Sequence, residues 1–194
     1  MISYTVQNII DLMESLGEEA VNDILSGFSC PINPEIESFV RNKSIDFAKR
    51  KISITYLLLD SAYKVLAIFT LTHKAISIDT DTTSGTFRKK VARYAEIDND
   101  TGKYTVSAFL IAQFGKNMSP EIEGVPSGTE LMVCAMKALL KARHMIGGGV
   151  VYLECEDKPA LLHFYQNESN KFQPFGTRTS IQDNTNYIQL LRFF

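Results

Sequence analysis

The sequence predicts a mixed α/β (α+β) domain: a twisted sheet of about six or seven strands with helices on both faces. Three stretches carry that expectation. Residues 104–114 hold Val106, Phe109, Leu110, Ile111 and Phe114, apolar on both alternating faces, which marks a strand buried on both sides. Residues 129–145 are apolar at Leu131, Met132, Val133, Met136, Leu139, Leu140 and Met145, with Glu130, Lys137, Lys141 and His144 forming one wet stripe, the pattern of a helix. Residues 150–155 read as a second buried strand. A helix between two such strands is a crossover, so the two should be parallel neighbours.

Taken in order, Val6, Ile9, Ile10, Met13 and Leu16 predict a short amphipathic helix over 6–16, stopped by Gly17 and followed by a further turn or two over 18–25. Pro31 and Pro34 break the chain. Asn33-Pro34-Glu35 then reads as a cap, a first-turn proline and an acidic first turn, opening a helix to about Arg50 that buries Ile36, Phe39, Val40, Ile45 and Phe47. These opening helices should lie over the sheet and border a substrate cleft. Residues 52–60 and 65–78 are rich in β-branched and aromatic side chains, and the short link between them predicts an antiparallel hairpin. Residues 80–102, rich in Thr, Ser, Gly and Asp at both ends, read as a surface insertion. Gly147-Gly148-Gly149 closes the long helix, Asp157-Lys158-Pro159 opens a short one carrying Leu161, Leu162, Phe164 and Tyr165, and 172–177 with 187–193 form a last strand pair around the polar 179–186.

With 194 residues, 45% of them apolar, the chain is expected to be one domain, 1–194, with a substantial core. A net charge of −2 gives no whole-chain attraction to nucleic acid or to an anionic membrane. A nucleic-acid partner would need a local patch, and the segment Phe87-Arg88-Lys89-Lys90-Val91-Ala92-Arg93-Tyr94 is the one that offers it. Its simpler reading is the solvated face of a helix. The start, Met1-Ile2-Ser3-Tyr4, is not a basic segment leading into an apolar one, and no run reaches the roughly 20 apolar residues a bilayer requires, so a cytoplasmic protein is expected. Cys30, Cys134 and Cys155 lack CxxC spacing and read as reduced thiols; His73, His144 and His163 are scattered, and no metal is expected.

The loop 115–128 ends Val125-Pro126-Ser127-Gly128 and delivers the chain to the long helix with several backbone N–H groups unpaired, a place that can hold phosphate. Ser127 with Glu130 also reads as a capping box that serves the helix alone.

Leu110-Ile111-Ala112-Gln113-Phe114-Gly115-Lys116-Asn117, Gly124-Val125-Pro126-Ser127-Gly128-Thr129-Glu130-Leu131 and Ala160-Leu161-Leu162-His163-Phe164-Tyr165 together resemble the GNAT acyl-CoA acetyltransferases. The resemblance implies a GNAT-like fold with a splayed parallel pair, acetyl-CoA as acyl donor and direct attack by an amine in a ternary complex. It assigns the main chain of Phe114, Gly115 and Lys116 to the pantetheine arm. The pyrophosphate would lie over the amides of Gly124, Val125, Ser127, Gly128 and Thr129. Tyr165 takes the place of the tyrosine that protonates the thiolate; a phenol of pKa about 10 can donate to a forming thiolate of about 8 to 9.

The phosphate loop departs from the family pattern, which is Gln or Arg, two residues, Gly, one residue, then Gly or Ala. On Glu123 to Gly128 only the last glycine matches. A carboxylate about 4 Å from a phosphate charge would cost about 1 kcal/mol in water and about 4 at an effective dielectric of about 20, so Glu123 has to point away. Pro126 lacks an amide proton. Glu154 and Glu156 share one face of their strand and are candidate bases, read more simply as strand-end charges, so the base is unassigned. The resemblance implies a small-molecule or peptide amine as acceptor, whose identity the sequence does not give. A regulatory module that binds acyl-CoA without turnover is the alternative. A further alternative, again by resemblance, is a toxin that acetylates aminoacyl-tRNA, since such enzymes are basic where Arg88 to Arg93 lie.

Overall fold

The computed structural model describes residues 4–180 and 185–194. Met1, Ile2 and Ser3, and residues 181–184 of the polar link expected over 179–186, lie outside the described residues. The chain divides into two compact units, Met1–Thr72 with Ile111–Ala138, and His73–Leu110 with Leu139–Phe194.

The first unit opens with β1 (Thr5–Asn8), α1 (Ile9–Leu16), α2 (Glu18–Ser26), α3 (Pro34–Asn42), α4 (Ser44–Lys49) and β2 (Ile54–Leu59), and continues into β3 (Val65–Asp79). β1 pairs antiparallel with β2, and β2 with β3, as the hairpin reading requires. Ile9, Leu12, Val21, Leu25, Phe28, Val40 and Ala48 from the helical segment pack with Leu57, Leu59, Val65 and Ile68 of the strands, so the opening helices do cover sheet. Two boundaries differ from expectation. The helix expected over 6–16 begins at Ile9, because Asn8 is extended (φ −77°, ψ 135°) and its side chain accepts from the Ile10 amide, while Thr5 to Asn8 join the β2 edge and Val6 is exposed. The helix expected to run to Arg50 is two, broken at Lys43 (φ −127°, ψ −25°), which explains its imperfect periodicity.

Past β3, the second unit holds α5 (Gly85–Val91), β4 (Ile97–Asp98) and the first part of β5 (Lys103–Lys116), whose end belongs to the first unit. The 80–102 stretch is less superficial than expected. Ser84 caps α5, and Phe87 and Val91 are buried with Tyr104, Val106 and Tyr152, while β4 pairs with β5. After α6 (Gly128–Ile146) come β6 (Val150–Glu156), α7 (Pro159–Gln166), β7 (Gln173–Thr179) and β8 (Asn186–Phe193). The strand order is β3-β5-β6-β8-β7, with β8 between β6 and β7 and antiparallel to both. β5 and β6 are the expected parallel pair. Their ladder holds only Phe109↔Val151 and Leu110↔Tyr152.

Two burial patterns differ from the sequence reading. Lys103, Thr105 and Ser107 of β5 are exposed while Tyr104, Val106 and Ala108 are buried, so this strand is covered on both sides only over Ala108–Ile111, with Ala112 exposed again. On α6, Val133, Leu140 and Met145 are 46, 49 and 82% exposed; Val133, Lys137, Leu140 and His144 fall on one stripe at helical spacing, and apolar character alone did not place them inside. Gly147 (φ 80°) and Gly148 (φ 99°) stop α6 in the left-handed region, and the Gly147 amide donates to Arg143 O at 2.8 Å.

Candidate active site

The end of β5 carries Phe114 and Gly115, both half-buried, and exposed Lys116. A Cβ on Gly115 would lie 3.2 Å from Ile36 Cγ2 and 3.7 Å from the Phe28 ring, so glycine here lets the strand mouth approach α3. Asn117 follows directly and is 3% exposed. Sequence reasoning gave it no role, although a polar residue set immediately after an apolar strand was the available signal.

Residues 117–127 form the loop to α6, with Gly124 at φ 71°. At the helix start both capping-box bonds form: the Ser127 amide donates to Glu130 Oε2 at 2.7 Å, and the Glu130 amide donates to Ser127 Oγ at 3.2 Å. The Ser127 hydroxyl and amide hold the Glu130 carboxyl below its ordinary value. Of the amides expected on the pyrophosphate, that of Ser127 is therefore already occupied. Those of Gly124, Val125, Gly128 and Thr129 have no intramolecular acceptor among the described residues. Pro126 is buried and Glu123 is exposed. The loop thus fits a diphosphate through four amides and the helix terminus, with fewer donors than the unbroken family pattern supplies.

Tyr165 belongs to the second unit. It sits near the end of α7, 8% exposed, its ring edge-on to Phe164 and Phe172 at 5.0 and 5.9 Å. Burial, with Cys155 adding, pushes its phenol well above the ordinary tyrosine value, so it carries its proton at neutral pH. Burial, then the carboxylates of Asp157 and Glu156, push the Cys155 thiol up to about 11, which leaves it a poor nucleophile. All three cysteines are free.

Glu154 is not a solvent-facing strand-end charge. Arg178 donates to its Oε2 from Nε at 2.9 Å and Nη2 at 2.6 Å; the Tyr152 hydroxyl and Gln189 Nε2 donate to Oε1. Burial raises its pKa, but these bonds outweigh burial and hold it below the ordinary value. Both oxygens are engaged, so it is a weak base. Glu156 pairs with Lys158 at 2.6 Å. Nothing in the sequence announced Arg178 or Gln189 as partners, since strand pairing rather than spacing brings them there. Arg88 and Lys89 on α5 and Arg93 in the turn after it are exposed and form no ion pair among the described residues, while the Lys90 ammonium lies 5.7 Å from the Phe193 ring centroid. Among the described residues no group of three His, Cys, Asp or Glu could hold a metal, and no helix is long and apolar enough to cross a membrane.

No family model matches the sequence, and no curated protein matches it. Among solved structures, AtaT complexed with acetyl-methionyl-tRNAfMet matches with a TM-score of 0.63 at 16% identity, over 95% of this chain and 94% of that one. A Tyr-to-Phe mutant of KacT matches with a TM-score of 0.61 at 15% identity, over 96% of this chain and 93% of that one. The chain has the fold of AtaT and KacT. A Tyr-to-Phe mutant of the AtaT toxin, bound to the C-terminus of the antitoxin AtaR and acetyl-CoA, matches at 16% identity with a TM-score of 0.58, over 98% of this chain and 92% of that one. The mixed α/β architecture expected from the sequence is thus the architecture observed, with the parallel β5–β6 pair and, among the described residues, eight strands where six or seven were expected.

Proposed function

We propose that the chain is an acetyl-CoA-dependent N-acetyltransferase, one domain over 1–194, whose acceptor is the α-amino group of an aminoacyl-tRNA in the cytoplasm. The observation that carries this reading is the whole-length likeness to AtaT, a protein solved with acetyl-methionyl-tRNAfMet. It narrows the acceptor from a small-molecule or peptide amine to charged tRNA. Support comes also from the unpaired amides at the start of α6; burial raises the Tyr165 phenol and makes it a weaker acid, so its role rests on the resemblance alone.

When bound, acetyl-CoA supplies an acetyl thioester that a neutral amine attacks directly. The main chain at Phe114, Gly115 and Lys116 orients the pantetheine arm. The amides of Gly124, Val125, Gly128 and Thr129 hold the diphosphate, and Ser127 keeps the helix start in place through Glu130. As the C–N bond forms and the C–S bond breaks, the electron pair leaves on sulfur and is neutralised by a proton, a step for which the sequence resemblance assigns Tyr165 as the acid. The amine's proton passes to water, since Glu154 is engaged by four donors from Arg178, Tyr152 and Gln189. No acyl-enzyme is needed, and Cys155 is not poised to form one.

Tyr165→Phe should lower kcat roughly 100-fold with KM for acetyl-CoA little changed, read as free-thiol release in the presence of aminoacyl-tRNA. A variant as fast as the wild type would remove the acid assignment. The second reading, binding without turnover, is favoured by the reduced donor set at Glu123, Pro126 and Ser127. It predicts acetyl-CoA binding with no thiol release from any amine.

A further inference from the structure

The Asn117 carboxamide is buried, and every hydrogen-bonding position it has is used. Its Oδ1 accepts from the Ser29 amide at 3.1 Å and from the Ser119 amide at 3.0 Å. Its Nδ2 donates to Gly27 O at 2.9 Å and to Val65 O at 2.7 Å. The backbone on either side of this side chain is tied down as well: the Asn117 amide donates to Leu66 O at 2.9 Å, and the Met118 amide to Ser29 O at 2.8 Å.

One residue therefore fastens three separate pieces of chain, all within the first unit: the end of β5, the first residues of β3, and the 27–30 turn between α2 and α3. Two residues earlier, Gly115 lets Ile36 of α3 come within 3.2 Å of where a Cβ would be. The last turn of backbone before the loop is thereby gripped from β3 on one hand and from the 27–36 segment on the other. A merely adequate strand end would not need this. Leu66 O already pairs with the Asn117 amide, so the side chain adds four bonds where the ladder itself requires none.

From this geometry we infer that Asn117 is a positioning residue for the acyl-donor arm: it sets the direction in which the main chain of Phe114, Gly115 and Lys116 presents itself to pantetheine. The inference rests on the acetyl-CoA reading of the site and adds to it a residue that reaches no substrate. The diphosphate loop is held by a different device, the Ser127–Glu130 box at the start of α6. Asn117 Oδ1 also accepts from Ser119 at the start of that loop, so the amides at the α6 start keep the Ser127–Glu130 box as their own support while a change at Asn117 acts first on the arm. A misplaced binding group of about 1 Å is enough to cost up to roughly 100-fold, so loss of the four side-chain bonds has ample leverage on the arm.

The test measures equilibrium affinity of the full chain for acetyl-CoA and for adenosine 3′,5′-bisphosphate, the nucleotide end without the arm, in wild type, Asn117→Ala and Asn117→Asp. The aspartate keeps the size and the two accepting bonds and loses the two donating ones. Both variants are expected to weaken acetyl-CoA roughly tenfold or more, aspartate at least as much as alanine because its carboxylate faces the Gly27 and Val65 carbonyls, with the bisphosphate affinity within about twofold of wild type. A wild type that binds neither ligand defeats the acetyl-CoA reading itself. If wild type binds acetyl-CoA and the folded variants bind it equally well, or lose both ligands in parallel, the positioning role is overturned. It is overturned also if neither variant folds, because Asn117 would then be a structural clamp alone.

Discussion

At the scale of single residues, the helix start at Ser127 and the phenol of Tyr165 are opposite uses of the same physics. Glu130 is stabilised as an anion by two donors, whereas Tyr165 is stabilised as a neutral acid by removal from water. Ser127→Ala should cost about 1 kcal/mol, a fall in melting temperature of roughly 2–4 °C on thermal unfolding. The sign of the pH effect follows from Glu130 being lowered on folding. Its contribution is complete above the unfolded carboxylate value of about 4.3 and is lost as pH falls through the lower folded value. Glu130→Gln should therefore show a shallower loss of stability in that acidic window, followed by circular dichroism; an unchanged slope would mean that the box carries no charge-dependent stability. Glu123 and Pro126 were legible as departures from a phosphate loop, and the structure adds that Ser127 is a third, its amide already bonded to Glu130.

At the scale of elements, the α6–β6 junction is constrained by ring packing as much as by backbone. A Cβ at Gly149 would fall 1.8 Å from the Tyr94 ring, which itself stacks on Phe193 at 6.1 Å. Gly149→Ala should displace that ring and destabilise by about 1–3 kcal/mol, seen as a lower urea midpoint with an unchanged m-value. α5 and the turn after it combine the two readings of their sequence: Phe87 and Val91 are core, and Arg88, Lys89 and, past the helix end, Arg93 face water. If that face meets RNA phosphates, neutralising each of the three should reduce the slope of log K against log salt by about 0.7 to 0.9, and tRNA affinity should fall accordingly. An unaltered slope would leave α5 a solvated face. The elements that were legible are those with strong period or punctuation: the 52–78 hairpin, the crossover through α6, the Gly147 stop and the Pro159 start. Those that were not depended on partners distant in sequence. β1 is a strand because an edge of β2 is there to receive it, and Val133 and Leu140 are exposed because packing, not polarity, decided which stripe of α6 faces the core.

For the molecule as a whole, the sequence carried the fold through order of elements, and the likeness in fold to AtaT covers 95% of this chain and 94% of that one. The candidate site was legible where main chain does the work, at the β5 end and the α6 start, because glycines, a proline and a capping pair leave marks in sequence. Asn117 and the Glu154–Arg178 pair were not, since their partners lie on other strands and turns. A net charge of −2 gives no global attraction to nucleic acid, so the proposed tRNA acceptor requires a local basic face such as that of α5. Acetyl-CoA that binds the folded chain should stabilise it by about 2.7 kcal/mol at 100 times its Kd, a rise in melting temperature that bisphosphate alone should reproduce in part. The most direct test of the account is transfer of label from [14C]acetyl-CoA to tRNA. With charged tRNA, label should become acid-precipitable and be released by mild alkali as an N-acetyl amino acid, while uncharged tRNA and Tyr165→Phe give little. Label that stays in solution with every charged tRNA, or enters uncharged tRNA equally, would contradict it.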